Sequence, residues 1–157
     1  MKLIPVQIDY QDDIYKMAKY LLANDGHPDS LETKIGRFML GRATGHTSAM
    51  QATASRLRAE GYRVTEVYLN QHMMTDSIRN SHHPHPDMCM TYGHLIDRGF
   101  SASALRGRCS HDISDIILFD TYSFAEQRIP NLSAKVEEFM YILHRHYHKR
   151  TAFFFIQ

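Results

Sequence analysis

The chain contains no tryptophan, only two cysteines and five prolines, and its 18 Lys and Arg are nearly balanced by 17 Asp and Glu. Each scarcity excludes a class of protein. Cys89 and Cys109 form no CxxC pair, so they build neither a disulfide framework nor a zinc knuckle, and they suit a reducing compartment. A formal net charge of +1 sets up no global field toward nucleic acid or an anionic membrane. The longest purely apolar run, Ala152-Phe153-Phe154-Phe155-Ile156, is far too short to span a bilayer. The opening Met1-Lys2-Leu3-Ile4-Pro5 lacks the apolar stretch of a signal peptide. The expectation is a soluble, cytoplasmic protein with no membrane partner.

What is present suffices for a packed core. The chain has 157 residues, 43% of them hydrophobic and 22% charged, which fits one ordinary domain over residues 1–157. No repeat, low-complexity tract or linker divides it. Eleven histidines make the charge climb as the pH falls toward about 6.

Periodicity supplies the elements. Asp9 is placed to cap a helix from Tyr10 to about Ala23, with Asp12 as a capping-box-like partner and Ile14, Met17, Ala18, Leu21 and Leu22 as its apolar face. Asn24-Asp25-Gly26-His27-Pro28 ends it. Ile35 to Leu40 reads as the first core strand, Thr47 to Glu60 as a helix with Ala49, Met50, Thr53, Ala54 and Leu57 inward, and Arg63 to Leu69 as a strand. Strand, glycine loop, helix, glycine and strand make a βαβ rhythm. Asn70 to Asp87 is the least regular part, and Ser81 to Pro86 reads as loop. Thr91 to Arg106 reads as a helix or irregular segment broken near Gly99. Ile116-Ile117-Leu118-Phe119-Asp120 reads as a strand buried on both faces. A last helix starts at Asn131 or Ser133 and runs to about Lys149, on Val136, Phe139, Met140, Leu143 and Tyr147. Thr151 to Ile156 is a terminal strand, and its three consecutive phenylalanines fit a central position. The expected fold is a three-layer α/β sandwich with a mostly parallel sheet.

The most informative segment is Gly41-Arg42-Ala43-Thr44-Gly45-His46-Thr47-Ser48, which lies between the first strand and a helix. Backbone amides in a glycine turn, together with a helix N-terminus, surround an anion. A hydroxyl at Thr47 suits Mg²⁺, and an aspartate at the end of a neighbouring strand, Asp120, reaches the same ion's water shell. In these segments the chain resembles the P-loop NTPases, in particular the helicase and large-terminase ATPases, over about residues 35–120. The match to the Walker A loop of that class holds at every position except His46, and Ile116 to Asp120 resembles the Walker B strand.

The resemblance implies binding of ATP or another nucleotide with Mg²⁺, held by Gly41, Arg42, Ala43, Thr44, Gly45, His46, Thr47 and Ser48, with Thr47 and Asp120 on the metal. Two departures bear on activity. His46 stands where the class has its phosphate-bridging lysine, and Thr121 stands where it has the glutamate that orients water. Losing the lysine removes transition-state charge stabilisation, and losing the glutamate removes the positioning of the attacking water. The implied function is therefore a degenerate P-loop protein, a regulatory or accessory factor of the kind phages encode, working with a protein partner and not as a motor. The alternatives are a ligand-free interaction or inhibitor protein on the same fold, or a weak NTPase or phosphoesterase.

Other clusters have plainer readings. His82, His83, His85 and Asp87, with Cys89 and His94, contain metal-ligating types but no ligand spacing, so a solvated loop is the better account. His144, Arg145, His146, His148, Lys149 and Arg150 offer a nucleic-acid or acidic-partner patch, though cations also favour a helix C-terminus. Arg98, Arg106 and Arg108 read as surface arginines. His111-Asp112 does not complete a two-histidine phosphoesterase with His46-Thr47-Ser48.

Overall fold

A computed structural model describes residues 10–24, 30–39, 45–80, 89–99, 114–146 and 151–157. Helix α1 (Tyr10–Ala23) buries Ile14, Ala18 and Leu21 along one stripe. Of the Asn24 to Pro28 segment expected to terminate it, residues 25–28 lie outside the described residues, as does Asp9. Its C-terminal carbonyls are capped from elsewhere: the buried Lys34 sends Nζ to the carbonyls of Leu21 at 2.9 Å and Leu22 at 3.2 Å. This satisfies orphan acceptors and sets a cation against the negative helix end. Asp12 pairs with Lys16 at 2.7 Å and with Arg56 at 3.4 Å.

Strand β1 (Ile35–Phe38) follows, and then α2 (His46–Ala59), β2 (Val64–Tyr68), α3 (Gln71–Asn80), β3 (Cys89–Thr91), a short α4 (Tyr92–His94) that continues as a π turn (Leu95–Gly99), β4 (Ile116–Asp120), α5 (Tyr122–Arg128), α6 (Leu132–His146) and β5 (Ala152–Ile156). Gly61, at φ 93°, ends α2 in the left-handed conformation that glycine adopts freely. Helix α3 replaces the irregular stretch expected after Asn70. Asn70 Oδ1 accepts the Met73 amide at 2.9 Å, an N-cap ahead of a short apolar stripe of Met73, Met74 and Ile78. Strand β3 and helix α5 were also not anticipated; both are short, and α5 starts directly at the strand end without a separating glycine or proline.

All five strands are parallel, in the order β1-β5-β4-β2-β3. The two-residue alternation of side chains splits the interior in two. Ile117, Phe119, Phe153 and Phe155 join Val67 beneath α4, α5 and α6, where Phe119 and Phe155 stack with centroids 4.5 Å apart. Ile116, Leu118, Ala152, Phe154 and Ile156 face the other way, onto α1 and α2. Apolar layers on both sides of the sheet make the three-layer α/β arrangement.

The register corrects one expectation. The strand ending in Asp120 does not lie beside β1, because β5 is inserted between them. The run Ala152–Ile156 is apolar on both faces and fully covered only in an interior position, and it takes that place. Chain direction then defines a crevice. After β1 and β2 the chain crosses on the α2–α3 face, and after β3 and β4 it returns on the α4–α6 face. The connections leaving β1 and β4 therefore diverge around the C-terminal end of β5, a topological switch point where open α/β sheets place ligands.

Candidate functional site

Both sides of that crevice carry polar groups. On one side stands the N-terminus of α2. Gly45 is its N-cap, at φ 75° and ψ 19°, and it supplies no side-chain cap. The Gly45 carbonyl accepts the Ala49 amide at 3.0 Å, closing the first helical turn. The amides of His46, Thr47 and Ser48 come before any intrahelical acceptor can exist, and the first turn contains no acidic residue. The positive end of a 14-residue helix is thus left without an anionic side chain of its own.

On the other side is the end of β4. Thr47 Oγ1 donates to the Asp120 carboxylate, lying 3.0 Å from both of its oxygens. His46 Nε2 is 3.7 Å from Asp120 Oδ1 and 3.4 Å from Thr121 Oγ1. His46 Nδ1 is buried and has no hydrogen-bond partner among the described residues. Asp120 is fully buried, and its backbone carbonyl accepts the Tyr92 hydroxyl at 2.7 Å. Burial lifts the Asp120 carboxyl above its ordinary value, against the opposing pull of His46 and of the hydroxyls of Thr47 and Thr121.

Thr121 follows in the left-handed region, at φ 51° and ψ 39°. A β-branched residue is a genuine outlier there, and such strain concentrates at functional positions. Its carbonyl accepts the amides of Phe124 and Ala125 as α5 begins. Between the two sides, Gln157 extends from the end of β5. Its amide donates to the Phe38 carbonyl at 2.9 Å, and its side chain accepts from the Ser123 hydroxyl.

Of the residues singled out in the sequence, Gly45, His46, Thr47 and Asp120 are brought together here. Gly41, Arg42, Ala43 and Thr44 lie outside the described residues, and Ser48 sits in the first turn of α2. Tyr92, Thr121 and Gln157 line the same place as polar neighbours of Asp120 and β5. Sequence reading identifies Thr121 only as a lost glutamate and omits Tyr92 and Gln157, because no spacing rule shows that β5 runs between β1 and β4. Of the metal-loop candidates, residues 81–88 lie outside the described set, Cys89 is buried and His94 is exposed; no cluster of three or more His, Cys, Asp or Glu occurs among the described residues. Residues 147–150 and 101–113 lie outside it too; within α6, Arg145 stacks over the Tyr141 ring at 5.9 Å. Among the described residues no helix is long and apolar enough to cross a membrane.

Comparison of the chain with protein-family models, with curated proteins and with solved structures finds no match.

Proposed function

We propose that this chain binds a phosphate-bearing ligand, a nucleotide with Mg²⁺, in a P-loop-like site at Gly45, His46, Thr47 and Ser48, and that it works as a regulatory or accessory factor. The observation that carries this reading is the Thr47–Asp120 contact at 3.0 Å, which joins residues far apart in sequence at the mouth of the switch-point crevice. Beside it are the first amides of α2, to which Gly45 gives no side-chain cap, and His46 Nδ1, which has no hydrogen-bond partner among the described residues. A helix end that lacks its own anion, next to a hydroxyl and a carboxylate, is chemistry suited to an anion with a cation.

The donor set fits Mg²⁺. Thr47 Oγ1 and the Asp120 carboxylate are hard oxygen ligands, and so few protein ligands leave room for water and phosphate oxygens. Bound there, Mg²⁺ would neutralise phosphate charge. The chain's own residues account for the rest: Gly45 admits close backbone approach, the first amides of α2 hold phosphate oxygens, and His46 offers a ring nitrogen where the resembled class places a lysine. Thr121 brings a hydroxyl but no carboxylate to the position that would orient water, which favours binding over turnover.

The test is a thermal-stability titration with ATP, ADP and GTP, each with Mg²⁺. A ligand at one hundred times its dissociation constant adds about 2.7 kcal/mol by mass action, a readily measured rise in Tm. Gly45→Val and Thr47→Ala should each abolish the rise, and His46→Lys should enlarge it. No rise at millimolar nucleotide, or a rise that survives both disabling substitutions, overturns the proposal.

A further inference from the structure

Helix α2 carries a stripe that the phosphate site alone leaves unexplained. Thr47, Gln51, Ala54 and Arg58 recur at helical spacing and share one face. Thr47 meets Asp120 on β4. The Gln51 side chain approaches the Tyr68 hydroxyl. Ala54 is fully buried. Arg58 Nη1 pairs with Glu66 Oε2 at 2.8 Å, and its Nη2 donates to the Val64 carbonyl at 2.8 Å.

Glu66 is itself fully buried in the middle of β2. It accepts the Tyr68 hydroxyl at 2.6 Å, with Cys89 Sγ at 3.4 Å and Ser77 Oγ at 3.5 Å. Val67 pairs with Phe119, so Tyr68 and Asp120 each follow one member of that pair on adjacent strands. A polar seam therefore runs beneath α2 from the anion site to the far end of the helix.

The rest of the buried α2 face, Ala49, Met50, Thr53 and Leu57, gives mostly non-directional contact that tolerates small slides. A hydrogen-bonded ion pair with its carboxylate fully buried and its guanidinium part-buried does not: it fixes both rotation and axial position, and specifying geometry is the best-attested use of such groups. We propose that the Arg58–Glu66 pair is the positioning element of the anion site, setting the register of α2 so that Thr47 and the first-turn amides stand over Asp120. This rests on the proposed function only in calling that end an anion site; the mechanical coupling stands apart from it.

The experiment reads the amide ¹H–¹⁵N resonances of His46, Thr47 and Ser48, about 16 Å along the helix from Arg58 at 1.5 Å per residue. Arg58→Met should displace them, Arg58→Lys should restore most of the shift, and Arg56→Met, on the exposed side, should leave them in place. In a double-mutant cycle, Arg58→Met with Thr47→Val should lower the urea midpoint by less than the sum of the single changes. Where Arg58→Met does not fold, Glu66→Gln removes the charge, keeps the shape and carries the same readouts. Unmoved resonances with an additive cycle overturn the inference. Titration with inorganic phosphate separates the two claims. A wild-type chain that ignores phosphate while the cycle remains non-additive ends the anion-site reading alone. Phosphate binding that Arg58→Met leaves unweakened, together with additivity, ends the positioning claim alone.

Discussion

At Asp120 a buried carboxyl is held at a raised value chiefly by burial. The native state then binds this proton more tightly than the unfolded chain. The associated stability is complete below the ordinary aspartate value of 3.8 and is lost as the pH rises through the raised native value. Once ionised, the group is a standing destabilisation, of the kind a ligand site retains for function. Asp120→Asn should therefore raise stability at pH 7 by about 1 kcal/mol, roughly 2–4 °C in Tm for a chain of this size. The gain should vanish below about pH 4, as urea titrations at several pH values will show. Nucleotide-dependent stabilisation should be lost with it. Cys89 behaves in a related way: burial first, and then the charge of Glu66, push its thiol up to about 12. Because the thiolate is the nucleophile, iodoacetamide at about pH 8 should leave Cys89 unmodified in the native protein and label it in urea, as peptide mass mapping will reveal. The sequence shows Cys89 but not the Glu66 carboxylate beside it, since that contact depends on the pairing of β2 with β3.

Among the elements, those with long periodic patterns were legible. The helix read from Tyr10 to Ala23 is α1, the expected helix at Thr47 to Glu60 appears as His46–Ala59, and the strand through Ile116 to Asp120 is β4. The illegible parts have specific causes. Helix α3 sets Met73, Met74 and Ile78, each only partly buried, against the α1–α2 layer, so its short apolar stripe is obscured by the polar residues around it. The end of α1 depends on Lys34, a residue whose role appears only when β1 is laid against the helix. The α1–β1 contact is also close: a Cβ built on Gly36 would come within 2.5 Å of Leu21 Cδ1 and 3.3 Å of Phe154 Cδ2. Gly36→Ala should thus destabilise by about 1–3 kcal/mol through overpacking. The obstructing atom is the tip of a leucine, so adding Leu21→Ala should give less than the summed loss in a urea-denaturation cycle. Full additivity would mean that α1 does not rest on β1 at this point. Lys34→Met should lower stability by about 1–3 kcal/mol, because it leaves the Leu21 and Leu22 carbonyls buried without their donor; amide exchange should then rise first in the last turn of α1.

For the whole molecule, the sheet is a septum between two apolar layers, and β5 contributes to both. Composition and pattern anticipate this much, since three consecutive phenylalanines are accommodated only where both faces are covered. The placement of β5 between β1 and β4 is not anticipated, because strand order arises from crossover geometry that no local pattern encodes. Phe155 packs with Phe119 and Tyr122 on one side, at centroid distances of 4.5 and 4.6 Å, while Phe154 belongs to the opposite layer with Leu118 and Ile156. Neighbours in sequence are here separated by the thickness of the sheet and share no apolar cluster. Phe154→Leu and Phe155→Leu should each cost about 1–2 kcal/mol as packing is lost. Coupling between mutations requires shared partners, so the double variant should lose close to the sum, and the urea slope should stay unchanged because the unfolding surface is the same. Chain neighbours would ordinarily be strong candidates for coupling, which gives the experiment its force. A marked shortfall from additivity would place the two rings in a single core and contradict the three-layer arrangement on which the crevice at the end of β5 depends.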